Sequence, residues 1–117
     1  MKTGVGRIVL RIDDGLREVV DPQEVYLLEA VDEQTRVRRH GRKALVDSRS
    51  LGELAASFAA HGFFLIHRSY AVNLRRIQQI KRRDRGRDWE VRLEPPVNRV
   101  LPVSRESLPG LIEALES

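Results

Sequence analysis

The chain has 117 residues, 41% of them hydrophobic and 32% charged, with a formal net charge of +4 and a pI near 10.1. That length fits one domain around one core, and the absence of cysteine excludes disulfides, iron–sulfur clusters and thiolate zinc sites. No apolar stretch approaches the ~20 residues of a membrane span, and no signal-peptide core follows Met1. A cytoplasmic location is the expectation. The Met1 start fits a whole protein as well as a domain cut from a longer one.

The first segment, VGRIVLRI (5–12), alternates as a strand does. Asp13-Asp14-Gly15 is a turn signal, and LREVV (16–20) reads as the return strand of a hairpin. Asp21-Pro22 starts a short bend, with Asp as cap and Pro at the first position. VYLLEAV (25–31) is a buried strand, a polar loop follows at 32–34, and TRVRRH (35–40) runs back. KALVD (43–47) is another short strand. SLGE predicts a helix, since Ser50 as N-cap and Glu53 three residues on form a capping box. Leu51, Leu54, Ala55 and Phe58 follow at helical spacing, and Gly62 is a natural left-handed terminator. FFLI (63–66), IQQIKR (77–82), DWEVRL (88–93) and RVLPV (99–103) read as strands. A turn at 84–86 and a Pro95-Pro96 loop separate the last three. Ser104 is placed as the cap of a C-terminal helix carrying Leu108, Leu111, Ile112 and Leu115 on one side. The fold class is mainly β with short helices (α+β), with residues 1–20 as a hairpin extension and 21–117 as the main domain. A helix-turn-helix with a recognition helix from Phe63 fails on pattern, because four consecutive apolar residues, FFLI, would surround a short helix with hydrocarbon.

Charge is concentrated. RRIQQIKRRDRGR (75–87) carries seven basic residues against one acid, a local +6 that leaves −2 for the rest of the chain. Such a field suits a polyanion, with a solvated basic hairpin as the structural alternative. Catalytic patterns are missing. His40, His61 and His67 show no metal-ligand spacing, and no nucleophile elbow, phosphate loop or dinucleotide motif occurs. The expectation is therefore no enzyme, no metal and no cofactor.

One stretch breaks its own pattern. FFLIHRSYAVNL (63–74) inserts His67, Arg68 and Ser69 into an apolar run. A cation anchored on both sides loses little entropy on binding, and a guanidinium pairs bidentately with guanine or phosphate. Ser69 suits a phosphate oxygen, and Asn73 suits either a turn cap or the backbone of DNA. The structural alternative for Arg68 is an ion pair with Glu29. Arg105, in LPVSRESL, is a second cation of this type, placed at the N-terminus of the last helix, with Glu106 or a distant acid as its structural alternative.

These residues, "FFLIHRSYAVNLRRIQQI … VLPVSRESLPGLIEAL", resemble the LytTR-type DNA-binding domain of bacterial transcription regulators. That pattern runs F-x-x-I/V-H-R-S-Y/F-x-V-N and later L-P-V-S-R, and it covers roughly residues 20 to 116. The resemblance implies an elongated arrangement of small antiparallel sheets that enters DNA grooves with loops instead of a helix. Carried over, Arg68, Arg105, Thr35 and Gln34 are the candidate base contacts. Ser69, Arg36, His67, Arg75, Lys81, Arg82 and Asn73 are the candidate phosphate contacts. The implied partner is double-stranded DNA with direct or inverted promoter repeats, read by two copies, with input from a separate sensor protein. Bound to DNA, the chain is expected at the nucleoid. The rival is an RNA-binding or protein-interaction β module using the basic hairpin, with Tyr70 and Trp89 as the candidate stacking aromatics.

Overall fold

The computed structural model describes residues 6–83, 86 and 88–117. The proposed turn at 84–86 and the start of the first strand at Val5 fall partly outside them. The strands are β1 (Ile8–Asp13), β2 (Leu16–Val20), β3 (Val25–Val31), β4 (Gln34–Arg39), β5 (Leu45–Asp47), β6 (Phe63–His67), β7 (Tyr70–Asn73), β8 (Ile77–Arg82), β9 (Trp89–Leu93) and β10 (Val100–Val103). The helices are α1 (Leu51–Phe58) and α2 (Leu108–Glu116). Three antiparallel sheets result: the hairpin β1-β2, a five-stranded sheet β5-β4-β3-β7-β6, and a three-stranded sheet β10-β9-β8. Phe63 to His67 is a strand, so no recognition helix exists there.

Alternation along the five-stranded sheet explains its two packed faces. Leu28 pairs with Val37 and Ala71, and all three join the core beneath α1, with Leu51, Leu54 and Phe58. The hairpin contributes Ile8, Leu10 and Val20 to that same core. Leu27, Val72 and Ile66 of β6 turn to the other face and pack with Val91, Leu93 and Leu101 from the three-stranded sheet and Leu111 from α2. Gly110 lets α2 approach closely, since a Cβ there would stand 3.1 Å from Phe64 Cζ.

The capping box forms as expected: Ser50 Oγ accepts from the Glu53 N–H at 3.3 Å, and Glu53 Oε1 accepts from the Ser50 N–H at 3.2 Å. The α-helix stops at Phe58, a 3-10 turn covers Ala59–His61, and Gly62 ends it with φ 86°. The C-terminal helix differs from expectation. Ser104 Oγ accepts from the Ser107 N–H at 3.2 Å and so caps the turn that leads into α2, which begins at Leu108. Pro109 sits in its first turn, where no backbone donor is lost.

Candidate nucleic-acid interface

Strand pairing brings the loop ends into a row. Arg68 and Ser69 form the two-residue turn between β6 and β7, with His67 opposite Tyr70. The Ala30 N–H donates to the Ser69 carbonyl at 2.9 Å, which ties this turn to the neighbouring β3–β4 turn at Asp32-Glu33. With strands ~4.8 Å apart, the two turns are centred about 10 Å from each other. On the other side, the Ser104 N–H donates to the Ile66 carbonyl at 2.8 Å, so the β10–α2 loop begins beside the same turn. The β8–β9 hairpin extends the row, because Val103 pairs with Trp89 and Trp89 with Arg82.

The β6–β7 turn is internally braced. The Ser69 N–H donates to His67 Nδ1 at 3.1 Å, which requires an unprotonated Nδ1. His67 therefore packs inward, its ring 5.6 Å from that of Tyr70, and Arg68 is exposed beyond it. Arg68 does not pair with Glu29. That carboxylate is filled by others: Arg38 Nε donates at 2.8 Å, Arg99 Nη2 at 2.7 Å, and Arg36 Nη1 stands at 3.7 Å. Burial alone would raise the Glu29 pKa, but the hydrogen bonds and charges of Arg99 and Arg38 outweigh it and hold the carboxyl below its ordinary value. One carboxylate thus gathers three guanidinium groups under the turn. The Arg99 guanidinium also lies 6.0 Å over the Tyr70 ring.

Arg105 is exposed in the turn after Ser104, ahead of α2 and not at its N-terminus. Its contact with Asp88, 3.7 Å between groups 70% and 63% exposed, is one that another anion displaces at little cost. Lys81 and Arg82 are exposed toward the tip of the β8–β9 hairpin, as is Arg83, which pairs with Glu90 at 3.4 Å. Arg85 and Arg87 lie outside the described residues.

Four sequence candidates change standing. Thr35 is fully buried and its hydroxyl donates to the Arg49 carbonyl at 2.9 Å, so of the β3–β4 candidates Gln34 is the exposed one. Asn73 is buried, donating to the Val25 carbonyl at 3.1 Å and accepting from the Arg75 N–H at 3.0 Å; it is a turn cap. Arg75 follows β7 and therefore lies at the strand end away from Arg68. Arg36 belongs to the Glu29 cluster, with its side chain 37% exposed.

A second anchor escaped the sequence reading. Asp47 is buried and accepts from the Arg11 N–H at 2.8 Å, the Arg49 N–H at 2.8 Å, and Arg49 Nε and Nη2 at 3.0 and 2.8 Å. Burial raises the Asp47 pKa, and these donors lower it further than burial raises it. The same bond to Asp47 raises the Arg49 pKa. Arg49 Nη2 also donates to the Val9 carbonyl at 3.1 Å, which fastens the β1-β2 hairpin beside β5. An acid ending a strand, two residues before an arginine, was the available signal.

Strand ends that carry cations in a row, with no recognition helix among the described residues, fit a β-built module for a polyanion. Tyr70 and Trp89, the candidate stacking aromatics, are half-buried and pack against the second core. The family model described as the LytTr DNA-binding domain matches residues 17–116, and the chain belongs to that family. It is a DNA-binding domain of the kind found in bacterial transcription regulators. A solved LytTr DNA-binding domain of a response regulator from Bacillus cereus has the same fold, with a TM-score of 0.76 and 23% identity over 97% of this chain and 100% of that one. Among curated proteins none matches this sequence. No helix among the described residues is long and apolar enough to cross a membrane.

Proposed function

We infer that this domain reads duplex DNA in a sequence-specific way through loop ends, with Arg68 and Arg105 contacting base edges and Gln34 contacting a third position. The observation that carries this reading is the pair of backbone hydrogen bonds, Ala30 to Ser69 and Ser104 to Ile66, that holds three loops in one row. Arg68 and Arg105 start from stiff strand ends and have no strong internal partner among the described residues. Each guanidinium suits guanine O6 and N7 in a bidentate bond. Ser69, Lys81 and Arg82 hold phosphates on either side, and Arg36 adds charge from the Glu29 cluster. His67 serves the turn geometry more than the phosphate.

A footprint of one copy covers one half-site, and two copies on paired promoter repeats give the affinity that regulation needs. Selection of bound duplexes from a random pool tests this. A defined motif with two separated guanine-dependent positions is the expected result, and an unstructured pool bound with a steep salt dependence alone contradicts it.

A further inference from the structure

The β1-β2 hairpin shows water an apolar stripe. Val9 and Val19, directly paired across the two strands, are each 50% exposed, and Leu16 is 43% exposed. Beside them runs an open edge. β1 is covered on its outer side, where the Ser48 N–H donates to the Arg11 carbonyl at 2.9 Å and Arg11 donates to Asp47. Among the described residues, β2 has no backbone partner except β1. A strand with one row of unpaired amides and carbonyls is a template for another strand.

We propose that β2 pairs antiparallel with β2 of a second copy of this chain, about a two-fold axis through Val19. Charge selects the occupant and the register. Side chains opposite each other across an antiparallel pair lie on one face, so the inward residues of each copy must meet inward residues. An axis through Glu18 sets Glu18 against its own copy, and an axis through Arg17 sets Arg17 against its own copy. Both put like charges directly opposite, which destabilises a pair. With the axis through Val19, Val19 meets Val19, Glu18 meets Val20, and Arg17 meets Asp21 of the second copy. Asp21 is exposed and continues the extended backbone, with φ −85° and ψ 119°. The crevice along Val19–Asp21 also holds Glu24, but that acid is already paired with Arg42 at 3.3 Å, so Asp21 is the acid that meets the incoming Arg17. Val9, Val19 and their copies then form one continuous stripe across the four strands.

The contact is a single strand pair, well below the ~1,200 Å² of a stable interface. Its effect is therefore greatest where two copies are already held together, as on adjacent DNA sites. The proposal uses β2, which carries none of the residues assigned to DNA, and does not depend on how bases are read.

The chain has no cysteine, so single cysteines report the geometry directly. Four variants of the full chain, Val19→Cys, Arg17→Cys, Asp21→Cys and Leu65→Cys, are oxidised with diamide in the absence of DNA, and covalent dimer is followed on non-reducing gels. Leu65, 43% exposed on β6, controls for random collision. Val19→Cys is expected to dimerise at least about tenfold faster than Leu65→Cys, because paired thiols meet at a raised effective concentration. Arg17→Cys mixed with Asp21→Cys is expected to give mixed dimer faster than either gives alone. Equal rates for Val19→Cys and Leu65→Cys, or no excess of mixed product, overturns the proposal. Circular dichroism of each variant confirms the fold before oxidation.

Discussion

The backbone N–H of Ser104 donates to the carbonyl of Ile66 at 2.8 Å, which sets the chain just before Arg105 against the chain just before Arg68. Arg68 and Arg105, 37 positions apart in sequence, thereby leave the scaffold from neighbouring points. Neither arginine is used to hold the fold: Arg68 has no ion pair among the described residues, and Arg105 has only the loose contact with Asp88. Arginines that do structural work look different here. Arg38, Arg49 and Arg99 each donate to a buried or nearly buried carboxylate at 2.7 to 3.0 Å.

Thr35 and Asn73 are structural on this account. Asn73→Ala strands the buried Val25 carbonyl and frees the Arg75 N–H, a loss of ~1–3 kcal/mol. Thr35→Val removes one hydroxyl donor to the Arg49 carbonyl, a loss of about 1 kcal/mol. Urea unfolding measures both, and the DNA motif selected by each variant stays that of the parent chain.

Lys81 and Arg82 are exposed toward the tip of the β8–β9 hairpin and are assigned to phosphates on the proposed reading. Lys81→Gln or Arg82→Gln should weaken every duplex alike, and each should flatten the slope of log affinity against log salt by about 0.9. Filter binding at a series of salt concentrations on specific and scrambled duplexes reads this out. A change confined to the specific duplex places the residue among the base contacts instead.

His67 braces the β6–β7 turn through Nδ1. His67→Leu removes the acceptor for the Ser69 N–H, at about 0.5–1.5 kcal/mol. His67→Asn supplies a side-chain oxygen that can accept at the same point, as Asn does in local turns. Amide exchange at Ser69 should quicken in the leucine variant and stay near the parent rate in the asparagine variant.

Glu29 and Asp47 make stability depend on pH. Both carboxyls lie below their ordinary pKa in the folded chain. The unfolded chain therefore takes up protons first on acidification. The stabilisation is complete above the unfolded carboxylate range, near pH ~4, and is lost as pH falls through the lower folded values. Urea midpoints measured from pH 6 down to pH 2 should fall over that window. Glu29→Gln should lower the midpoint at pH 6 and shallow the fall, since it leaves Arg38 and Arg99 without their shared acid.

Much of the scaffold was legible because its determinants are local. SLGE specified the helix start, and VYLLEAV and TRVRRH were legible as successive strands; the pairing register then puts Leu28 and Val37 on one face and Glu29, Arg36 and Arg38 on the other. An acid inside so apolar a strand demanded cations. The sequence offered Arg68 as an alternative partner for Glu29, whereas the structure supplies Arg38 and Arg36 from the adjacent strand and Arg99 from 70 positions away. Thr35 shows the limit of transferring a site by motif: a shift of one residue in a strand exchanges the solvent face for the core, and Gln34 is the exposed neighbour. Arg75 shows another, because charge density along the sequence says nothing about which end of a strand a residue occupies.

The most direct measurement is binding-site selection run in parallel on the parent chain, Arg68→Ala and Arg105→Ala. Each substitution is expected to cost ~1–3 kcal/mol and to erase preference at its own position, leaving the rest of the motif intact. An unchanged motif at unchanged affinity in either variant contradicts the assignment of that arginine to the bases, and in both it contradicts the reading of DNA by this row of loops.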